Sequence, residues 1–112
     1  MMDCVFCKVA SGDIPAKTFY RDENIVAISD INPQAPTHLL VMPTTHYDNV
    51  STLAAVDGAV FAKLMDVAAR LGTQYAPRGF RLVVNTGNDG GQTVDHVHVH
   101  ILAGRQLVWP PG

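Results

Sequence analysis

The sequence contains no apolar run that approaches the ~20 residues of a membrane-spanning helix, no run of basic residues and no internal repeat. Its 8 basic and 10 acidic side chains give a formal net charge of -2, so the basic face typical of a nucleic-acid-binding surface is not expected. The first residues lack a basic segment followed by an apolar core, and a secretory signal is not expected. These absences predict that neither nucleic acid nor a membrane is a partner.

Cysteine is scarce, with only Cys4 and Cys7 in the chain. A disulfide that closed so short a loop would gain little chain entropy, which favours a reduced protein in the cytoplasm. Two interpretations of the Cys-x-x-Cys spacing are open from the residues: half of a zinc site that needs two more ligands, and two small buried side chains. A thioredoxin-like redox pair is disfavoured because no βαβ pattern follows.

Hydrophobic residues make up 47% of the 112 positions, enough for one domain, 1–112, around a single core. Apolar residues at helical spacing from Val60 to Tyr75 predict one long helix, with Asp57 at its start and Pro77 after its end. A short N-terminal helix is expected over 4–11, and strands are expected at 18–21, 25–29, 38–42, 80–85 and 97–103. The fold class is therefore α+β, with a mostly antiparallel five-stranded sheet and an extended tail over about 104–112. The edges of such a sheet need cover or pairing, which favours a homodimer.

Three of the five histidines, His96, His98 and His100, alternate with valines. On a strand they would share one face, with ~7 Å between neighbours, while the valines fill the core behind them. Three imidazoles make an unusual core, because each ring nitrogen needs a partner. The residues alone leave three interpretations: a polar face in solvent, a metal site, and a nucleophilic imidazole beside a proton donor.

A glycine-rich segment, TGNDGGQT at 86–93, comes directly before these histidines. Its backbone N–H groups and the Thr93 hydroxyl could surround an anion beside His98. Glycine-rich loops are commonly plain turns, but next to a row of histidines this one favours a phosphate ligand.

The run HVHVHIL at 96–102 resembles the signature of the histidine-triad family, in which histidines alternate with apolar residues. Around it, DINPQAPTHLLVMP, VVNTGNDGGQT and GRQLVWPPG are similar to the Hint-type nucleoside phosphoramidate hydrolase branch. The resemblance extends from Cys4 to the C-terminus. The final WPPG favours this branch over the dinucleoside polyphosphate hydrolases, which share the triad.

The resemblance implies a hydrolase in which His98 attacks the α-phosphorus of a purine nucleoside phosphoramidate. The nucleotidyl-histidine intermediate is then hydrolysed by water. His100, with His38 close to it, would bond the phosphate and the leaving group, and the backbone carbonyl of His96 would fix the tautomer of His98. The polar side of the implied nucleotide site comprises Asp30, Asn85, Gly91, Gln92 and Thr93. The apolar slot for the base comprises Val5, Phe6, Val9, Ile28, Ile31 and Leu40.

The resemblance also implies a homodimer in which Trp109 reaches the leaving-group side of the partner subunit's site. Bacterial relatives that keep both cysteines resemble this chain in two further histidines, so a closed structural zinc site is implied, with no catalytic cofactor. Its ligands would be Cys4, Cys7, His46 and His96. Many relatives carry a lysine near the leaving group where this chain has Thr44.

Other functions remain as alternatives to the phosphoramidase. Within the family, the alternative is hydrolysis or nucleotidyl transfer at a P–O–P bond. From other classes come a nucleotide-binding regulatory module and a metal-dependent hydrolase that uses the three histidines as ligands.

Overall fold

The computed structural model describes residues 4–112, and residues 1–3, at the start of the segment considered for a secretory signal, lie outside it. Within residues 4–112, three helices and five strands follow one another. They are α1 (Val5–Ser11), β1 (Thr18–Arg21), β2 (Ile25–Ser29), β3 (Thr37–Pro43), α2 (Val50–Val56), α3 (Gly58–Tyr75), β4 (Phe80–Val83) and β5 (Val99–Ala103). The α+β class, the long helix and the five strands are confirmed. No helix within residues 4–112 is long and apolar enough to cross a bilayer.

Side chains cap the start of each helix. The Cys4 Sγ accepts a hydrogen bond from the Cys7 N–H at the start of α1, at 3.3 Å. The Asp57 carboxylate accepts one from the Val60 N–H at the start of α3, as predicted. Helix α2 was not predicted; it begins after Asn49, whose side chain accepts from the N–H of Thr52.

The five strands form one antiparallel sheet in the order β1-β2-β3-β5-β4. The helices between β3 and β4 let β5 return beside β3, where Leu40 lies opposite His100 and His38 lies opposite Leu102. Diagonal neighbours on adjacent strands project from the same face of a sheet. This register therefore places the imidazoles of His38 and His100 side by side.

The two faces of the sheet are covered differently. Helix α3 packs on one face, over a core that includes Leu39, Val41, Val99 and Ile101. The short helix α1 packs Phe6 and Val9 on the other face, and the strand residues beneath it are Val26, Ile28, Leu40 and Met42. Because side chains alternate along β5, Val99 and Ile101 point to α3 and His100 points to the α1 face.

The last two strands are shorter than predicted. Strand β4 ends at Val83 rather than at residue 85, and β5 begins at Val99 rather than at residue 97. The N–H of Val97 donates to the carbonyl of Tyr47 at 2.8 Å, so this residue is tied to the loop after β3 rather than to a neighbouring strand. His96 and His98 therefore precede the strand proper, in a segment that is nevertheless buried.

Candidate active site and metal-ligand cluster

The triad histidines lie together on the α1 face of the sheet. His96 and His98 are buried, and His100 is partly exposed. The ring centroids of His98 and His100 are 4.9 Å apart, closer than the ~7 Å repeat along a strand. The ring of Phe6 contacts both buried imidazoles edge-on, at 5.9 Å from His96 and 5.0 Å from His98. Helix α1 thus closes this face and excludes water from one side of the triad.

The tautomer of His98 follows from its hydrogen bond. Its Nδ1 lies 2.8 Å from the backbone carbonyl oxygen of His96, and a carbonyl can only accept, so Nδ1 carries the proton. The Nε2 of a neutral His98 therefore has a free lone pair. Burial lowers the pKa of His98, although the His96 carbonyl and Asp30 oppose the shift. The site thus favours a neutral imidazole with a free nitrogen, the form that a nucleophile requires.

A second chain of hydrogen bonds fixes His100. The N–H of Gln34 donates to the Nδ1 of His38 at 3.0 Å, so the proton of a neutral His38 is on Nε2. That Nε2–H donates to the Nδ1 of His100 at 2.9 Å, so the proton of His100 is on its own Nε2. Asp30 is close to the same chain, with its Oδ2 3.4 Å from the His38 Nε2. His100 therefore has a donor nitrogen where His98 has an acceptor.

Both imidazoles of this hydrogen-bonded pair, His38 and His100, are held in the neutral form. Burial lowers the pKa of His100 to about 4, and the neighbouring His98 and His38 add to the shift. Burial also lowers the pKa of His38, against the opposing charge of Asp30. At neutral pH the two imidazoles consequently carry one proton each.

A separate cluster joins α1 to the triad. The ligand atoms of Cys4, Cys7, His46 and His96 all lie within 4.8 Å of one another. The Cys4 Sγ is 3.3 Å from the His96 Nδ1, and the Cys7 Sγ is 3.5 Å from the Nδ1 atoms of both histidines. Two thiols and two imidazoles are the donor set that a structural zinc ion takes.

The far nitrogens of both histidines in this cluster are donors. The His96 Nε2–H donates to the carbonyl of Pro43 at 2.8 Å, and the His46 Nε2–H donates to the Asp48 carboxylate at 2.8 Å. Each Nδ1 therefore presents a lone pair to the thiols, in the orientation of a metal ligand. Burial and the neighbouring Cys4 raise the pKa of Cys7 to about 11, a conflict that a bound cation would relieve.

The glycine-rich loop uses several of its own polar groups. The Gly91 N–H donates to the carbonyl of Asn88, and the Gln92 N–H donates to the carbonyl of Gly87. These two amides are therefore paired within the loop, and their contact with a phosphate stays a prediction. The Gln92 side chain also braces the loop, since its Oε1 accepts from the Gly87 N–H and its Nε2 donates to the Asp48 carbonyl.

Two polar side chains at the ends of this loop make no hydrogen bond to the rest of the described residues: Asn85 precedes the loop, and Thr93 is its last residue. Neither the Thr93 hydroxyl nor the Asn85 amide hydrogen-bonds another residue between 4 and 112, which leaves both available to a ligand. Asp30 is only partly committed, because its Oδ1 accepts from the Asn32 N–H. Thr44, at the position of the relatives' lysine, donates its hydroxyl to the carbonyl of Glu23.

The apolar residues predicted for the base divide into two groups. The buried ones pack together between α1 and the sheet: Phe6 and Val9 lie on α1, and Ile28 and Leu40 lie on the strands beneath it. Exposed ones do not pack against the triad: Val5 is partly exposed and Ile31 fully exposed. Trp109, predicted for the leaving-group side of a partner subunit's site, is 81% exposed in the tail. Ile31 and Trp109 are large apolar side chains in solvent, which are available to a ligand or to a second chain.

Three groups of the site were not predicted from the sequence. Gln34 and Pro43 act through backbone atoms, which leave no trace in a side-chain pattern. Asp48 could have been found, because His46 and Asp48 are two positions apart and a carboxylate is a common partner of a metal-binding histidine.

Comparison with known proteins gives consistent matches. A model of the HIT domain family matches residues 11–107. Protein pkiA of Dictyostelium discoideum is 45% identical over 118 aligned residues, which cover 98% of this chain and 90% of that protein. A solved HIT family hydrolase from Legionella pneumophila Philadelphia 1 has a TM-score of 0.93 at 44% identity, covering 98% of this chain and 100% of its own. A zinc-bound histidine triad family protein from Mycobacterium smegmatis has a TM-score of 0.80 at 35% identity, covering 93% and 76%.

Proposed function

The chain belongs to the histidine-triad (HIT) family, and on that premise we propose that it hydrolyses the P–N bond of purine nucleoside 5′-phosphoramidates through a nucleotidyl-histidine intermediate. Solved relatives described as HIT family hydrolases support hydrolysis in general. The observation that carries the proposal is the pairing of opposite tautomers: His98 offers a lone pair at Nε2, and the adjacent His100 offers a proton at Nε2.

The reaction proceeds in two displacements. In the first, the His98 Nε2 forms a bond to the α-phosphorus while the P–N bond to the amine breaks. An amine leaves poorly unless it is protonated; the neutral His100 donates a hydrogen bond from its Nε2–H to the leaving nitrogen, which takes its additional proton from solvent. In the second, the oxygen of a water molecule forms a bond to phosphorus while the bond from phosphorus to the His98 Nε2 breaks, and the proton of the water passes to solvent. The products are a free amine and a nucleoside monophosphate.

The polar groups around the triad support nucleotide binding. We assign the ribose hydroxyls to Asp30, whose Oδ2 is close to His38, and the phosphate oxygens to Asn85 and Thr93. Gly91 and Gln92 contribute by shaping the loop that presents Thr93. We assign the base to a slot beside the buried apolar residues Phe6, Val9, Ile28 and Leu40, with the exposed Val5 and Ile31 at its rim.

We further assign structural zinc to Cys4, Cys7, His46 and His96. The donor set, the two aligned Nδ1 lone pairs and the zinc-bound relative support this assignment. When bound, zinc supplies a fixed tie between α1 and the segment that carries His98. It has no role in the chemical step, because four protein ligands leave no open position.

A homodimer completes the proposal. Strand β4 is at an edge of the sheet. The guanidinium of Arg81, a residue of β4, donates to the Val108 carbonyl at 3.0 Å and so ties the tail to that edge. Trp109, the next residue, extends into solvent. A second chain paired at this edge would receive Trp109 near the leaving-group side of its site.

The test is a coupled assay of AMP release from adenosine 5′-phosphoramidate, with and without EDTA. We expect EDTA-resistant release from the wild type, a loss of about 10⁴-fold in His98→Ala, and full activity in Gln74→Ala, an exposed position on α3. His98→Ala should still bind AMP in calorimetry. A fully active His98→Ala would end the mechanism. A wild type that binds AMP without releasing it would favour a P–O–P substrate or a regulatory module, and loss of turnover in EDTA at an intact fold would favour a metal-dependent hydrolase.

A further inference from the structure

The segment between β2 and β3 supplies the N–H that fixes His38, yet most of its own contacts are local. Asn32 donates its N–H to Asp30 and accepts a hydrogen bond from the Gln34 side chain. Within residues 4–112, one side chain from a distant part of the sequence hydrogen-bonds this segment. It is Arg105, whose Nη2 donates to the carbonyl of Gln34 at 3.1 Å. The orientation of Gln34 therefore depends on the beginning of the C-terminal tail.

We propose that Arg105 is a positioning residue for His100, the hydrogen-bond donor to the leaving group, an inference that rests on the proposed function. Arg105 holds the carbonyl of Gln34, and the N–H of the same residue holds His38. His38 in turn donates to His100, which leaves the His100 Nε2–H for the leaving group. A connected series of four groups thus joins the tail to the reacting atoms.

Through Gln34, Arg105 fixes which imidazole is the donor in the hydrogen bond between His38 and His100. Two neutral imidazoles that share one hydrogen bond have two arrangements, with either ring as the donor. The Gln34 N–H selects one arrangement, because it needs an unprotonated Nδ1 on His38. If Gln34 turns away, the His38 proton can move to Nδ1 and the chain can reverse. His100 then donates toward His38 and presents a bare nitrogen to the leaving group.

A guanidinium suits this position better than an ammonium. Arg105 donates from Nη2 to Gln34 and from Nη1 to the carbonyl of Gln106, at 3.1 Å and 3.3 Å. One rigid fork therefore bridges the segment and the tail, which a single ammonium cannot reproduce. No carboxylate within residues 4–112 pairs with Arg105, so its partners are carbonyl groups. The adjacent Gly104 packs closely on Pro36, where an added Cβ would lie 2.7 Å from the Pro36 Cβ.

The experiment compares Arg105→Ala and Arg105→Lys with Arg78→Ala. Arg78 is an exposed arginine that lines a surface depression together with Arg105, and no hydrogen bond or ion pair joins it to the rest of residues 4–112. Two readouts are taken: kcat and KM for adenosine 5′-phosphoramidate, and the ¹⁵N chemical shifts of the histidine ring nitrogens. The shifts report the tautomers directly and need no substrate.

In Arg105→Ala we expect kcat to fall about 10-fold with KM within about 2-fold of the wild type, as for other residues that orient a ligand or catalyst. The ring signals of His38 should then show protonated Nδ1, while His98 keeps its wild-type signals. Arg105→Lys should lie between alanine and wild type, and Arg78→Ala should match the wild type. A loss of kcat that Arg105→Lys shares in full while all ring signals stay unchanged would overturn the proposal.

The two proposals fail differently. If wild-type protein does not release AMP, the proposed function fails, but the ring signals still decide whether Arg105 sets the tautomers. If the wild type is active and Arg105→Ala keeps both its kcat and its His38 signals, the positioning role is wrong and the proposed function stands. Unfolding of Arg105→Ala would leave Arg105→Lys, with its intact aliphatic stem, to give the same two readouts.

Discussion

Two clusters lie side by side on the α1 face, and each contains two imidazoles and at least one further metal-ligand type. In the first, Cys4, Cys7, His46 and His96, both far ring nitrogens donate to oxygen acceptors. In the second, Asp30, His38 and His100, the far nitrogen of His38 accepts from a backbone N–H. The first cluster therefore presents lone pairs to its centre, and the second presents a proton.

This difference teaches that proximity and residue type do not decide what a histidine does. The ligand atoms of Asp30, His38 and His100 also lie within 4.8 Å of one another. A metal ion at the His38 Nε2 would nevertheless displace its proton and break the bond from Gln34. The partner of the far nitrogen thus separates a metal ligand from a proton carrier, and it argues against a catalytic metal at His38.

The largest expected effect separates the clusters by function. His100→Ala should lower kcat about 10³-fold, within the range for loss of a hydrogen-bond donor to the transition state, and leave the zinc content unchanged. His46→Ala should do the reverse, with zinc lost and kcat within about 10-fold of wild type in the folded fraction. Metal analysis and steady-state kinetics on both variants measure this. Zinc loss in His100→Ala would show that the two clusters are one unit.

The next effect is on stability. Cys4→Ser combined with Cys7→Ser should abolish zinc binding and lower the free energy of unfolding by about 3 kcal/mol or more, because metal binding energy becomes folding energy. The wild type should contain about one zinc per chain when purified without chelator. Denaturant unfolding and metal analysis check both statements. Wild-type protein with less than about a tenth of an equivalent and both thiols free would refute the zinc assignment.

A smaller effect is the loss of stability at acidic pH. His100 faces His98, His38 and Asp30, and its pKa of about 4 in the fold is below the ~6.5 of an unfolded chain. Between these values the unfolded state binds a proton that the native state does not, so stability falls as pH falls from about 6.5 to about 4. After allowance for partial exposure, we expect about 1–2 kcal/mol of this loss between pH 7 and pH 5.

His100→Asn provides the comparison for that loss. Zinc release in acid affects wild type and variant alike, so the difference between their free energies of unfolding isolates His100. This difference should move by about 1–2 kcal/mol in favour of the variant between pH 7 and pH 5. An equal difference at both pH values would mean that His100 is not held neutral by the fold.

Local patterns predicted most of the fold. Strands β1 and β2 have the predicted bounds because their apolar residues and the turn between them are adjacent in sequence. Helix α2 escaped prediction because it buries only Leu53 and so has no apolar stripe. The start of β5 escaped it because Val97 bonds Tyr47, a partner that only the tertiary fold brings near.

The residues of the site were predictable from the sequence, but the hydrogen-bond directions of most of its imidazoles were not. The alternating histidines limited the chemistry, and the resemblance assigned the cysteines to zinc. The resemblance already implied that the His96 carbonyl fixes the tautomer of His98. Whether the other imidazoles donate or accept depends on a carbonyl at Pro43, an N–H at Gln34 and a carboxylate at Asp48. Two of these three are backbone groups that every residue possesses, so no sequence pattern marks them.

A substitution of Asp48 tests the comparison between the two clusters with the smallest expected effect. Its carboxylate accepts from the His46 Nε2–H at 2.8 Å, but its side chain is 70% exposed. Asp48→Ala should weaken zinc binding about 10-fold, at the low end for loss of such a partner, because water can replace the carboxylate. Its backbone carbonyl still accepts from Gln92, so the glycine-rich loop and kcat should be unaffected.

Competition with a chromophoric chelator measures the affinity, and Asp66→Ala is the control, because that exposed carboxylate pairs only with Arg70 on α3 among residues 4–112. Asp66→Ala should bind zinc as the wild type does. If Asp48→Ala does so too, the acceptor on the far nitrogen does not orient His46. The contrast between the clusters would then depend on His96 and the carbonyl of Pro43 alone, a backbone partner that no side-chain substitution removes.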